Sequence, residues 1–153
     1  MFKKILTLVF IFNFLSSCEY KPIYSSSNKT NYRIIITDFS GDKKLNKYIV
    51  ENLKRNSQID SVEIISIKIN SEYSRKIIAK NNLGSTTDYQ ARAVTEFEIK
   101  RNEITEKLVV NEKFDYQKIS DSYEEKSYEQ TIKRNLASSI TQKLIMRLSI
   151  VKW

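Results

Sequence analysis

Between Val62 and Gln117 apolar side chains return at every second residue, in three consecutive runs broken by two turn clusters. A period of two sends alternate side chains to opposite faces of an extended chain, so the stretch reads as three strands, each apolar on one face only. In the first, Val62 to Lys80, the residues Ile65, Ile67, Ile69, Tyr73, Ile77 and Ala79 share one parity, and Lys68, Asn70, Glu72, Ser74, Lys76 and Lys80 share the other. In the second, Thr86 to Lys100, the inward set is Tyr89, Ala91, Ala93, Phe97 and Ile99. Its outward set is Gln90, Arg92, Glu96, Glu98 and Lys100, with Val94 breaking the pattern. The third, Ile104 to Gln117, sets Leu108, Val110, Phe114 and Tyr116 against Lys107 and Lys113. Glu112 falls on its apolar parity, which marks a bulge or the open end of the sheet. Asn81-Asn82-Leu83-Gly84-Ser85 and Arg101-Asn102-Glu103 supply the turns.

A sheet with one apolar face needs a cover, and two segments carry the helical period that supplies one. From Lys43 to Asn56 apolar residues fall at Leu45, Tyr48, Ile49 and Leu53. From Ser122 to Leu148 they fall at Ile132, Leu136, Ile140, Leu144 and Leu148, with Ala137 and Ile145 beside them and Lys133 on the exposed side. Ser122, followed three residues later by Glu125, reads as a capping box. Ahead of the first helix, Tyr32 to Phe39 is a β-branched run suited to a strand covered on both faces. Ser40-Gly41-Asp42 ends it, and Asp42 is placed to cap the helix. The order βαβββα predicts an α+β fold: two helices packed on one face of a four-stranded mixed β-sheet, the other face polar and uncovered.

The chain begins with a different kind of signal. Lys3 and Lys4 precede an apolar run from Ile5 to Leu15, and Leu15-Ser16-Ser17-Cys18 follows. The run is too short to span a bilayer and has the layout of an export signal ending in a lipoprotein processing box. Small serines let a peptidase approach the bond before Cys18, whose thiol then carries a diacylglycerol; two or three acyl chains anchor a protein durably where one does not. The expected organisation is a lipoprotein signal peptide over 1–17, a lipidated tether over 18–31 containing Pro22 and Ser25 to Ser27, and a single α+β domain over 32–153.

Cys18 is the only cysteine and there is no histidine. A disulfide, a thiolate nucleophile, the commonest general base and the commonest zinc ligand are all missing, so no catalytic residue, metal or cofactor is expected and the chain reads as a non-enzyme. A hydrolase working through two carboxylates would need a pair of inward acids, and only Glu112 is inward. The formal charge is +8, falling to +6 once Lys3 and Lys4 leave with the signal. A basic exported domain suits lipid phosphates or lipopolysaccharide rather than nucleic acid.

Cys18-Glu19-Tyr20-Lys21-Pro22-Ile23-Tyr24 resembles the mature start of the LptE-type lipopolysaccharide-assembly lipoproteins of one bacterial branch, in which Cys is followed by Gly, an aromatic, a basic residue, Pro, an aliphatic and Tyr. Glu19 departs from the Gly of that pattern. Leu136-Ala137-Ser138-Ser139-Ile140 through Met146-Arg147-Leu148 resembles the last helix of the same family. The resemblance, of alphaproteobacterial type, implies a lipid-anchored protein on the periplasmic side of the outer membrane. It implies a plug and assembly partner of the LptD-type β-barrel translocon that also binds lipopolysaccharide. Lys68, Lys76, Arg92, Lys107 and Lys113, all expected on the uncovered sheet face, are then the candidates for lipid A phosphates. The competing expectation is a periplasmic lipoprotein adaptor of a lipid-trafficking ABC transporter.

Overall fold

The computed structural model describes residues 32–150. Its elements are β1 (Arg33–Gly41), α1 (Lys43–Asn56), β2 (Ile64–Lys80), β3 (Thr86–Arg101), β4 (Ile104–Gln117) and α2 (Ser122–Ile150). The strands lie in the order β1-β2-β3-β4, with β1 parallel to β2 and the other two pairings antiparallel. This is the α+β architecture that the periodicity predicts. The core is a sandwich of helices on sheet: Ile65, Ile67 and Ile69 of β2 and Ala91, Ala93, Phe97 and Ile99 of β3 meet Leu45, Ile49 and Leu53 of α1 and the apolar stripe of α2.

The stripe on α2 winds. Residues four apart turn by about 40° relative to one another on an α-helix, so Ile132 and Leu148, both buried, do not point the same way. That drift lets one helix pack against β4 and β3 and also against α1. Thr141, buried on the same helix, is tolerated because its hydroxyl donates to the Ala137 carbonyl at 2.7 Å.

Several expectations are corrected. β1 is an edge strand and is not covered on both faces: Ile34 and Ile36 pack toward the core while Ile35 is 37% exposed on the open side. The strand also runs on through Ser40 and Gly41. Gly41, at φ +90°, lies so close to β2 that a Cβ there would stand 1.9 Å from the Ser71 carbonyl oxygen, and the next amide, Asp42, donates to that oxygen at 2.8 Å. Asp42 does cap α1, accepting from Leu45 N at 2.7 Å. Asn46, unmarked by the sequence pattern, is fully buried beneath this corner, donating to the Ser40 carbonyl at 2.7 Å and accepting from Ser71 Oγ at 2.8 Å.

The cap of α2 is Asp121 rather than Ser122. Its Oδ1 accepts from the amides of Tyr123 and Glu124, each at 2.8 Å, and Glu125 turns instead to Arg75 at 3.5 Å. Glu112 marks neither a bulge nor an open end: β3 and β4 pair without a register shift, and its carboxylate is held by Lys143 of α2. The irregularities sit elsewhere, in β1 between Ile36 and Asp38 and in β2 between Ile77 and Lys80. Ile77 and Phe114, expected to face inward, are 49% and 38% exposed; Ile77 stands at the register shift of β2, and Phe114 lies on the edge strand β4. Lys133 is not exposed; it bridges the two helices.

Candidate functional site

The uncovered face is built from the even positions of β2 and β3 and the odd positions of β4. Pairing sets them in rungs, among them Lys68-Glu98-Lys107, Asn70-Glu96-Val109, Glu72-Val94-Asn111, Ser74-Arg92-Lys113 and Lys76-Gln90-Asp115. All five cations singled out from the sequence stand on this face. The register divides them.

One half neutralises itself. Lys68 reaches Glu98 at 3.4 Å and Lys107 reaches Glu96 at 3.5 Å, two cations against two carboxylates across neighbouring strands. These are exposed pairs of the ordinary surface kind, weak individually and screened by salt.

The other half does not. Arg92 and Lys113 are direct cross-strand partners, a like-charge pair that opposes sheet formation unless something else offsets it. Arg92 Nε donates to Asn111 Oδ1 at 3.1 Å, which orients the guanidinium and adds no negative charge. Asp115 accepts from Gln90 Nε2 at 2.8 Å. Among the described residues no ion pair involves Lys76, Arg92 or Lys113. Directly opposed side chains have Cβ atoms about 5 Å apart and next-rung neighbours about 7 Å, a spacing over which an anionic oxygen group meets a planar fork and one or two ammonium groups together. Val94 places apolar surface on an adjoining rung, and Val109 on the rung beyond it. The arrangement can hold a phosphate-bearing amphiphile at a water-exposed surface. Of the five candidates, Arg92, Lys113 and Lys76 are brought together outside any ion pair, with Glu72 and Asp115 on the rungs either side of Arg92 and Lys113, while Lys68 and Lys107 are each paired. Asn111 and Gln90 were not singled out from the sequence; their signal lies only in the pairing register.

A second concentration of charge lies on the helix side. Arg75 stacks on Tyr89 with its guanidinium carbon 4.4 Å from the ring centre, flanked by Glu125 at 3.5 Å and Glu129 at 3.8 Å. Tyr116 packs between Tyr89 and Tyr128, at 5.6 and 5.8 Å. Burial first, then neighbouring Glu129, pushes the Tyr73 hydroxyl far above its ordinary range, and burial likewise raises Tyr116. Both stay protonated at any physiological pH, and the cluster ties β2, β3 and β4 to α2.

Among the described residues no group of His, Cys, Asp or Glu is placed to hold a metal, and no helix is long and apolar enough to cross a membrane. Cys18, the expected lipidation site, lies outside the described residues.

No family model matches the chain, and no curated protein matches it significantly. Solved structures do. The crystal structure of rare lipoprotein B from Shewanella oneidensis aligns over 75% of this chain and 95% of its own, with a TM-score of 0.56 at 15% identity. The fold is that of rare lipoprotein B. The solution structure of an uncharacterized lipoprotein B from Nitrosomonas europaea aligns over 80% of this chain and 87% of its own, with a TM-score of 0.50 at 7% identity. Likeness at this level carries over the rare lipoprotein B layout of helices on one sheet face, and no individual side chain.

Proposed function

We propose that the chain is an outer-membrane lipoprotein that assists lipopolysaccharide assembly at the cell surface, as plug and assembly partner of a β-barrel translocon and as a binder of lipopolysaccharide, with no catalytic role. The observation that carries the reading is the likeness of the described domain to rare lipoprotein B, an LptE-like fold, in a chain whose sequence places a processing box at Cys18. The open sheet face is consistent with it. A barrel lumen is polar and hydrated, so a plug should show it polar surface. Lipid A offers phosphates beside acyl chains, which is the chemistry that Arg92, Lys113 and Lys76 beside Val94 would meet.

The test is purification of the tagged full-length chain from detergent-solubilised membranes. A β-barrel of the outer membrane should accompany it. Recovery with an inner-membrane ABC transporter, and no barrel, would replace this reading with that of a transporter adaptor. Mass spectrometry of the same material should find the chain starting at an acylated Cys18, and Cys18→Ala should leave the precursor uncleaved.

A further inference from the structure

The two ends of the sheet differ in what joins them. Tyr32, where the described domain begins, accepts a hydrogen bond from Gln58 N through its carbonyl at 3.0 Å, and its ring lies under Arg101, 4.9 Å from the guanidinium carbon. Arg101 in turn holds Glu63 at 2.8 Å. The entry of the chain, the α1–β2 loop and the β3–β4 turn therefore form one end of the domain, and the salt bridge of Arg147 to Glu106 at 2.9 Å brings the last turn of α2 to it. Large apolar side chains stand in solvent around this end: Ile59 (78% exposed), Val62 (95%), Ile104 (53%) and Ile150 (68%). They come from two connections, the α1–β2 loop and the β3–β4 turn, and from the end of α2, and no described part of the chain covers them.

Charge at this end is also one-sided. Glu63 and Glu106 are engaged by Arg101 and Arg147, which leaves exposed Arg33, Lys54, Arg55 and Lys100 against exposed Asp60 and Glu103. Tyr32 follows Cys18 by fourteen residues, a reach of at most about 50 Å. An acyl anchor at Cys18 would thus attach the bilayer to this end of the domain directly, and to the β2–β3 hairpin end only through the length of the sheet.

From this placement we propose that the tether-bearing end is a bilayer-contacting surface, which seats Ile59, Val62, Ile104 and Ile150 among the headgroups of an anionic leaflet while the surrounding arginines and lysines meet lipid phosphates. The contact seats the end of the domain opposite the β2–β3 hairpin and leaves the open face of the sheet free to engage a partner. The inference rests on the lipid-anchor reading for its biological setting, yet the contact itself is measurable without the anchor.

The probe is a vesicle of phosphatidylethanolamine with or without phosphatidylglycerol, sedimented with the mature chain (residues 18–153) carrying Cys18→Ser. The unanchored chain should partition onto the phosphatidylglycerol vesicles. Val62→Asp with Ile104→Asp should weaken that partition roughly ten-fold. Both side chains are at least half exposed, so the fold should survive, as circular dichroism would verify. The control pair, Ile78→Asp with Leu83→Asp at the far hairpin (45% and 91% exposed), should leave partition unchanged. The proposal is overturned if the parent chain stays in the supernatant at millimolar lipid, or if the two pairs weaken binding equally. It is overturned too if Val62→Asp with Ile104→Asp abolishes a dimer seen by sedimentation velocity while vesicle binding is absent. An unacylated Cys18 in the cell would refute the anchor and leave the vesicle result standing, so the two failures are distinguishable.

Discussion

The ammonium of Lys133, midway along α2, lies 2.9 Å from Oδ2 of Asp42, the residue whose other carboxylate oxygen caps α1. The same ammonium sits 4.0 Å from the centre of the Tyr73 ring on β2, so one side chain joins both helices to the sheet. Its side chain is 13% exposed. Lys133→Ala should therefore cost about 1 to 3 kcal/mol, from a half-buried charge left without its partner and a lost cation–π contact. Leu136→Ala, deleting a buried side chain one turn away, should cost about 2 to 5 kcal/mol. Urea denaturation of both variants checks the pair; a Lys133→Ala midpoint equal to the parent's would mean that the bridge contributes nothing.

Asp42 also sets a pH dependence. Burial raises its carboxyl, but the Leu45 amide and Lys133 outweigh burial and hold it below its ordinary value of 3.8. A carboxyl depressed in the folded state contributes stability above its unfolded value and loses it as pH falls through the folded one. Asp42→Asn keeps a capping oxygen and removes the charge, so the stability gap between parent and variant should be full at pH 6 and should close below about pH 3.8. A gap that is constant from pH 6 to pH 3 would locate the effect in the cap alone.

Two glycines separate strain from collision. Gly84 at φ +79° has open space where a Cβ would go, whereas Gly41 at φ +90° has the Ser71 carbonyl there. Gly84→Ala should cost about 1 kcal/mol, the penalty of a left-handed alanine. Gly41→Ala should cost about 3 kcal/mol or more, since β1 must move off β2 or the Asp42 cap must shift. Thermal unfolding of the two variants side by side reads the difference.

What the sequence made legible was whatever depends on period. The parity of Ile65 to Tyr73, of Tyr89 to Ile99 and of the α2 stripe all fall as alternation and helical spacing predict, because burying one face is a constraint written on every second or fourth residue. What depended on a single partner far along the chain was not legible. Lys133 reads as solvated until Asp42, ninety-one residues away, is known to stand beside it. Ser122 and Asp121 are equally good caps on paper, and the choice falls to Asp121 with Glu125 engaged by Arg75. Among the five cations, parity placed each on the open face but was silent on which were neutralised. The hairpin did hold that answer. Arg101 pairs with Ile104 across the two-residue turn Asn102-Glu103, with Asn102 at φ 54°, and stepping back along both strands brings Arg92 opposite Lys113.

That opposition yields the last prediction. Two like charges facing each other on an exposed sheet cost the fold a few tenths to 1 kcal/mol, and Glu72 and Asp115 on the flanking rungs form no ion pair with either. A pair retained only as solvated surface gains nothing from this cost, whereas a pair that receives a phosphate does. Arg92→Gln should therefore raise stability slightly, while Arg92→Glu should weaken binding of the unlipidated domain to lipopolysaccharide by about ten-fold, equivalent to roughly 1.4 kcal/mol. Lys113→Glu should weaken it similarly. Lys68→Glu and Lys107→Glu, at positions where Glu98 and Glu96 already cancel the charge, should change binding much less. Isothermal titration at two salt concentrations, with urea midpoints for the same variants, measures both sides of the trade. Equal losses for Arg92→Glu and Lys68→Glu would reduce the effect to diffuse attraction by net charge and leave the Arg92 and Lys113 rung without a role of its own.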